Sequence, residues 1–434
     1  MSGLRAYYLL VIAQAVSLLG SQLAALTVSI DIFKQTGQAT PVALVAFFSV
    51  APAMVLSGLA GAMADRFSRR GIMLAANLGF IATNSLLLLS YASGAFELWH
   101  LYTAAFANGL FVALERPAFQ ASIAMLVPDS HRDRANAIAQ MTSPAAGVIA
   151  PALAGLLYAL IGVVGALTLN ISSFVLAIVA LSLVRIPMPA ETDAGRAMRA
   201  SIWRQYFDGF RFLLQRPALI SLVGYISVAN LLINPVIVLQ VPYILTRLNS
   251  EATLGLVMGI VNAGATLGAV AMGVWGGTRP RIHTVLAGIA FEGFFLALGG
   301  LSRDPATITA SLFMFMFAIP FVNAAAISIL QAKVPPDLQG RVFASLAQIA
   351  ALFTPVAFLM AGPLADRVFE PAVHTPAWQT FSWLVGAGAG AGIGLMFVIG
   401  GALTILLTIA AYALPIIRRV EAVLPDHRTT AQAA

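Results

Sequence analysis

GAMADRFSRRGIML, residues 61–74, is the stretch on which the reading of this chain turns. Asp65, Arg66, Arg69 and Arg70 interrupt two apolar runs, 42–63 and 72–93. Each run is close to the roughly 20 residues that cross a 30 Å hydrocarbon core. A charged residue at the centre of such a run costs about 2.5–3.5 kcal/mol, so the charges belong in a short loop between two membrane helices. The same alternation continues in both directions. Apolar spans are expected at 7–31, 42–63, 72–93, 98–126, 136–160, 163–184, 217–246, 253–275, 282–301, 306–332, 342–365 and 383–414, about twelve helices. Composition agrees: 60% of the 434 residues are apolar and 9% are charged, where soluble domains carry about 25% charge.

The formal charge of +7 does not indicate nucleic-acid binding, because the basic residues form no single stripe. They mark alternate loops instead. Arg66, Arg69 and Arg70 follow span 2, and Arg132 and Arg134 follow span 4. Six arginines between Arg185 and Arg216 occupy or border the central connection, and Arg279, Arg281, Lys333 and Arg341 fill the next two even loops. The opposite loops hold Lys34, Arg247, Arg303 and Arg367. By the positive-inside rule, both termini and the even loops are expected in the cytoplasm. The apolar stretch after Arg5 is longer than a signal-peptide core and is expected to remain as the first span. The chain contains no cysteine, no G-x-x-x-x-G-K-[ST] phosphate loop and only scattered histidines. Neither an ATP-driven pump nor a metal enzyme has its ligand set, and no cofactor is expected.

The connection at about 186–216 divides the chain into six-span halves, 1–185 and 217–416, followed by a cytoplasmic tail, 417–434. Within the connection, Ile202, Trp203, Tyr206, Phe207, Phe210, Leu213 and Leu214 recur at helical spacing opposite Arg204, Asp208 and Arg211. An amphipathic helix lying on the membrane surface is expected there. A shift of 207 residues aligns 127–157 with 334–364, matching Val127, Pro128, Arg134, Ala137, Ala150, Ala154, Gly155 and Leu157 with identical residues. Duplicated bundles around a midplane site are a transporter layout.

With Gly61, Ala64, Asp65, Arg66, Arg69 and Arg70 in register and Leu74 one position beyond its last place, the opening stretch resembles the helix 2–3 loop signature of the major facilitator superfamily, G-x-L-A-D-R-x-G-R-[KR]-x-x-[LI]. Met63 and Ser68 depart from it. The resemblance implies an all-α polytopic membrane protein with two pseudo-symmetric six-helix bundles. It also implies a cytoplasmic latch in which Asp65 meets the start of span 11 near Arg341. GVIAPALAG (147–155) is similar to the span 5 signature of facilitator antiporters through Gly147, Pro151 and Gly155, with Ala150 and Ala154 where glycines are expected. Plain helix packing explains the same spacing. A third antiporter signature, an arginine ahead of a Q-G pair in span 4, is absent: Asn108-Gly109 and Ala105 stand there. Pro117 to Ile123 and Ala361 to Pro371 resemble the branch that includes macrolide-efflux proteins and the enterobactin exporter.

Span 4 contains LFVALERPAFQASIAM (110–125), with Glu115 and Arg116 near the midplane. Asn108, Glu115 and Ser122 recur every seven residues, flanked by Arg116 and Gln120, so one polar stripe should face a cavity or a neighbouring helix. Protonation of a carboxyl responds to its burial and to nearby charge, so proton binding at Glu115 and occupancy of a substrate site can be coupled. The alternative is a buried ion pair that ties span 4 to a neighbour. Asp31 and Glu292 are further candidates for proton coupling or substrate binding. Gln140, Ser143, Asn230, Asn234, Asn262 and Asn323 could line the cavity or bond between helices. Gly386, Gly390 and Gly394 are expected to form a small-residue packing face on span 12.

The expected function is a monomeric secondary transporter of the bacterial inner membrane, moving an amphipathic small molecule such as a drug, macrolide or siderophore outward against protons. An importer or uniporter, and a non-transporting sensor, are the alternatives.

Overall fold

The computed structural model describes residues 3–186, 211–335 and 338–424, without the side chains of 57–66, 124, 129, 133, 340, 341, 344 and 347. The expected amphipathic helix and the tail from 425 onward lie outside the described residues, apart from a helical turn at 211–214. All regular structure among the described residues is helical.

Helices α1 (Leu4–Thr36), α2 (Ala39–Arg66), α3 (Arg69–Ala92) and α4 (Leu98–Leu126) follow the expected order. The next run, Arg132–Leu183, has 52 residues. A continuous helix of that length would extend about 78 Å, more than twice the hydrocarbon thickness. Gly162, at φ 61° and ψ −166°, breaks it into α5 (132–161) and α6 (163–183). Only glycine adopts that backbone without a Cβ penalty. Helices α7 (Pro217–Leu248), α8 (Glu251–Trp275), α9 (Ile282–Leu301) and α10 (Pro305–Lys333) follow. Ten stretches among the described residues are long and apolar enough to cross a membrane, with Arg134–Leu183 counted once.

The end of the chain corrects two expectations. The span expected at 342–365 is two helices, α11 (Gln339–Ala351) and α12 (Thr354–Leu364). Pro355 lies in the first turn of α12, where its missing N–H is harmless, but it could not continue the hydrogen-bond ladder of α11. The last long helix, α13 (Ala391–Ala413), begins eight residues later than expected. Gly386 and Gly390, at φ 91° and 81°, precede it in the left-handed region and are not on its packing face. The Glu370 carboxylate closes the α13 N-terminus by accepting from the backbone N–H of Gly390 (3.2 Å) and Ile393 (2.9 Å), as the helix dipole favours.

The chain forms two compact units, Met1–Ala197 with Asn249–Gly259, and Met198–Leu248 with Ile260–Ala434. In the first, α1 packs on the α5–α6 run, and α2 and α3 pack on α4. The Tyr7 hydroxyl donates to the Ala135 carbonyl at 2.6 Å, fixing α1 against the start of α5.

In the second unit, α9 packs on α10 and α13. A Cβ on Gly300 would lie 2.3 Å from the Gly394 carbonyl oxygen, and one on Gly401 would lie 2.3 Å from that of Gly293. Glycine at these positions lets two backbones touch where hydrophobic burial supplies little drive between helices. Gly300→Val is therefore expected to cost about 1–3 kcal/mol through overpacking. Thermal unfolding of the purified protein in detergent should show a lower midpoint, and Gly273→Ala, in a helix where an added Cβ meets no atom within 4 Å, should not lower it.

Candidate functional site

The polar stripe of α4 lies beside a cavity of about 980 Å³ in the first unit. Asn108, Glu115, Arg116 and Gln120 from α4, with Gln140 and Ser143 from α5, are all among its lining residues. Glu115 sits 11 residues before Leu126, about 17 Å along the helix axis from that end.

Glu115 and Arg116 diverge. Successive residues of an α-helix point about 100° apart, and here the two side chains have separate surroundings. Glu115 is 7% exposed. One of its carboxylate oxygens accepts from Asn77 Nδ2 of α3 at 2.9 Å, and Gln14 of α1 is a second hydrogen-bonding partner. Asn77 Nδ2 also donates to the Met73 carbonyl at 2.8 Å, which holds the amide in place. Asn77 Oδ1 is buried with no partner. Arg116 is exposed and lines the cavity. No ion pair joins the two residues among those described.

Deeper polar groups complete the wall. Ser21 Oγ donates to Asn170 Oδ1 at 3.3 Å, and Asn170 Nδ2 donates to Asn84 Oδ1 at 3.4 Å. These residues, with Gln14, Ser17 and Asn77, were not singled out in the sequence. Their spacing could have revealed them: Gln14, Ser17 and Ser21 recur at i, i+3 and i+7 on α1, and Asn77 and Asn84 are seven apart on α3.

Asp31 is elsewhere in the same unit, in a separate cleft of about 590 Å³ lined also by Lys34, Tyr91, Tyr158 and Glu251. Its carboxylate accepts from Gln35 Nε2 (2.7 Å) and the Tyr158 hydroxyl (3.2 Å), and Lys34 pairs with Glu251. The span 5 motif is directed at the same segment. A Cβ on Gly155 would lie 2.3 Å from the Glu251 carbonyl oxygen, and one on Gly255 would lie 2.6 Å from that of Pro151. Gly147 meets nothing within 4 Å. Thus two of the three motif positions provide the close approach between α5 and residues 249–259.

The remaining candidates are in the second unit. Glu292 is 5% exposed on α9, next to the glycine contact with α13. Asn230 Nδ2 donates to the Ala350 carbonyl, and Asn234 Nδ2 to Thr354 Oγ1, both at 3.1 Å. These bonds tie α7 to α11 and α12. Asn262 is half-buried and Asn323 exposed. In the loop signature, the Ser68 hydroxyl accepts from Gly71 N at 3.1 Å and caps α3. Arg69 contacts Met125, and Arg70 donates to the Ser182 carbonyl at 3.0 Å. Gly61, Asp65 and Arg66 lie at the helical end of α2, but their side chains, like that of Arg341, lie outside the described residues. No cluster suited to a metal ion is found among the described residues.

Residues 10–353 match the family model of the Major Facilitator Superfamily. The chain belongs to this superfamily. It is therefore a multi-pass membrane transporter and not an enzyme. It is 23% identical over 370 residues to macrolide efflux protein A of Streptococcus pyogenes, covering 83% of this chain and 90% of that one. It is 28% identical over 294 residues to the enterobactin exporter EntS of Salmonella typhi, covering 65% and 66%. Among solved structures, a bacterial homolog of the human lysosomal transporter Spinster, inward-facing and unoccupied, superposes with a TM-score of 0.71 at 14% identity, covering 94% and 95%. That superposition shows the facilitator fold.

The bond between Asn77 and Glu115 leads to a stability prediction. Asn77→Ala leaves a buried carboxyl short of a donor, at a cost of about 1–3 kcal/mol. In a Glu115→Leu background the same change should cost much less. A double-mutant cycle on thermal midpoints should report a coupling of about 0.5–3 kcal/mol.

Proposed function

We propose that this chain is a proton-coupled exporter of the bacterial inner membrane, moving an amphipathic small molecule by alternating access as a monomer. The observation that carries the reading is Glu115, a carboxyl in the middle of a membrane helix at the wall of a substrate-sized cavity, held by Asn77 and Gln14. A charge there is expensive, so protonation changes the energy of the whole site. Asn77 Nδ2 donates to the charged carboxylate, and Gln14 is the carboxylate's second hydrogen-bonding partner. Arg116, facing the cavity, would report occupancy to the adjacent acid.

Arginine-rich even loops support cytoplasmic termini. Asn108, Gln120, Gln140 and Ser143 would line the substrate path. Asp31 would serve the outer end of the proton route, and Glu292 would be a second protonatable group in the other unit. Asn230 and Asn234 would bond between helices, and Asn262 and Asn323 would face substrate in the second unit. Asp65, Arg66, Arg69 and Arg70 would form the cytoplasmic latch, with Gly61 allowing close approach. Relatives named for efflux of a macrolide and export of enterobactin support the outward direction.

The test uses purified protein in liposomes loaded with a pH-sensitive dye and challenged with macrolides, catecholate siderophores and lipophilic cations. Wild type should couple substrate addition to proton flux, and Glu115→Gln should abolish that flux. Substrate movement that survives the substitution with unchanged pH dependence would make Glu115 a packing residue. Binding without flux in wild type would identify a sensor.

A further inference from the structure

Two polar groups on the cavity side of α4 have no protein partner. Asn108 Oδ1 is buried without a hydrogen bond. The Arg116 guanidinium is exposed to the cavity, with no ion pair or hydrogen bond among the described residues. They lie eight residues apart on one helix, about 12 Å along its axis. Glu115 and Arg116 are the charged residues in the lining, and Glu115 is turned into the wall, onto Asn77. Among the described residues, the cavity therefore offers its contents one unpaired positive charge, while the one carboxyl in its lining is engaged by Asn77 and Gln14.

Within a membrane span an unpaired charge is costly, and such residues are normally paired or used. A guanidinium presents a planar fork of donors that matches a carboxylate or phenolate better than any neutral group. Phe80, Leu101, Val112 and Phe119 supply apolar wall beside it. The volume, about 980 Å³, is near the top of the range of about 300–1,000 Å³ for small-molecule sites.

We infer that this cavity binds an amphipathic organic anion, with its carboxylate or phenolate on Arg116 and a hydroxyl or N–H donor reaching Asn108. An organic cation would meet a like charge, and the one lining carboxyl among the described residues, Glu115, is already engaged by Asn77 and Gln14. This deepens the export reading by naming the class of its cargo, but binding at equilibrium needs no gradient, so the two can fail separately.

The experiment measures binding of fluorescent 6-hydroxy-2-naphthoate, which carries a carboxylate and a hydroxyl at opposite ends, to the full chain in lipid nanodiscs without a pH gradient. Its methyl ester and the corresponding naphthylmethylammonium serve as matched probes. Wild type should bind the carboxylate at least about tenfold more tightly than either, the scale of a charge-assisted pair. Arg116→Gln should erase that preference, and Arg116→Lys should keep part of it. Equal or tighter binding of the ammonium by wild type would overturn the inference without any variant. So would a carboxylate preference that survives Arg116→Gln in protein with an unchanged thermal midpoint. Anion binding without proton flux would instead leave the site standing and overturn proton-coupled export.

Discussion

The constraint on which this structure rests is the absence of water in the hydrocarbon core. Backbone polar groups inside a span must find their partners within the protein, and side-chain polar groups left unpartnered there are costly. The long helices satisfy the backbone by themselves. Side chains are satisfied by short ties to neighbouring carbonyls, such as Tyr7 to Ala135 and Tyr243 to Gly299 at 2.7 Å. Helices approach through glycine rather than through bulky apolar contact, because lipid tails compete equally for apolar surface. The α9–α13 seam and the contact of α5 with residues 249–259 both follow this rule.

Under that constraint, Glu115 and Arg116 are distinguished by their partners. Adjacent in sequence, they lie about 100° apart around the helix, and their surroundings differ accordingly. The carboxyl is enclosed by amides from α1 and α3, in a setting where gaining or losing a proton changes the local energy strongly. The guanidinium is directed into open cavity. A pair that reads as one feature in the sequence has two surroundings, an enclosed carboxyl held by Asn77 and Gln14 and a guanidinium open to the cavity. The superfamily fold provides the cavity, and the chemistry comes from side chains placed on it.

Much of the architecture was legible from residue order alone. Apolar periodicity and length located the long helices through α10, and the charged loop at 61–74 identified the superfamily that the family model also matches. The stripe of Asn108, Glu115, Arg116 and Gln120 was readable because helical spacing puts recurring polar residues on one side. What escaped were the breaks near the end of the chain. Gly386, Gly390 and Pro355 sit in sequence as apolar as the helices around them, so hydropathy alone did not mark them. Asn77 and Gln14 also escaped, since their polar spacing on α3 and α1 does not say which carboxyl they meet until the helices are packed.

The sequence by itself determined that this chain lives in a bilayer, that it belongs to a transporter superfamily, and that its fourth span carries two charges needing an explanation. These are properties of composition, length and local spacing, which survive without knowledge of contacts. Only the tertiary structure decided which charge is enclosed and which is open, because that depends on helices 38 residues and more away in sequence, as in the bond from Asn77 to Glu115. It also decided that the glycines of α5 serve close packing against residues 249–259, since a missing Cβ has meaning only against the backbone that occupies its place.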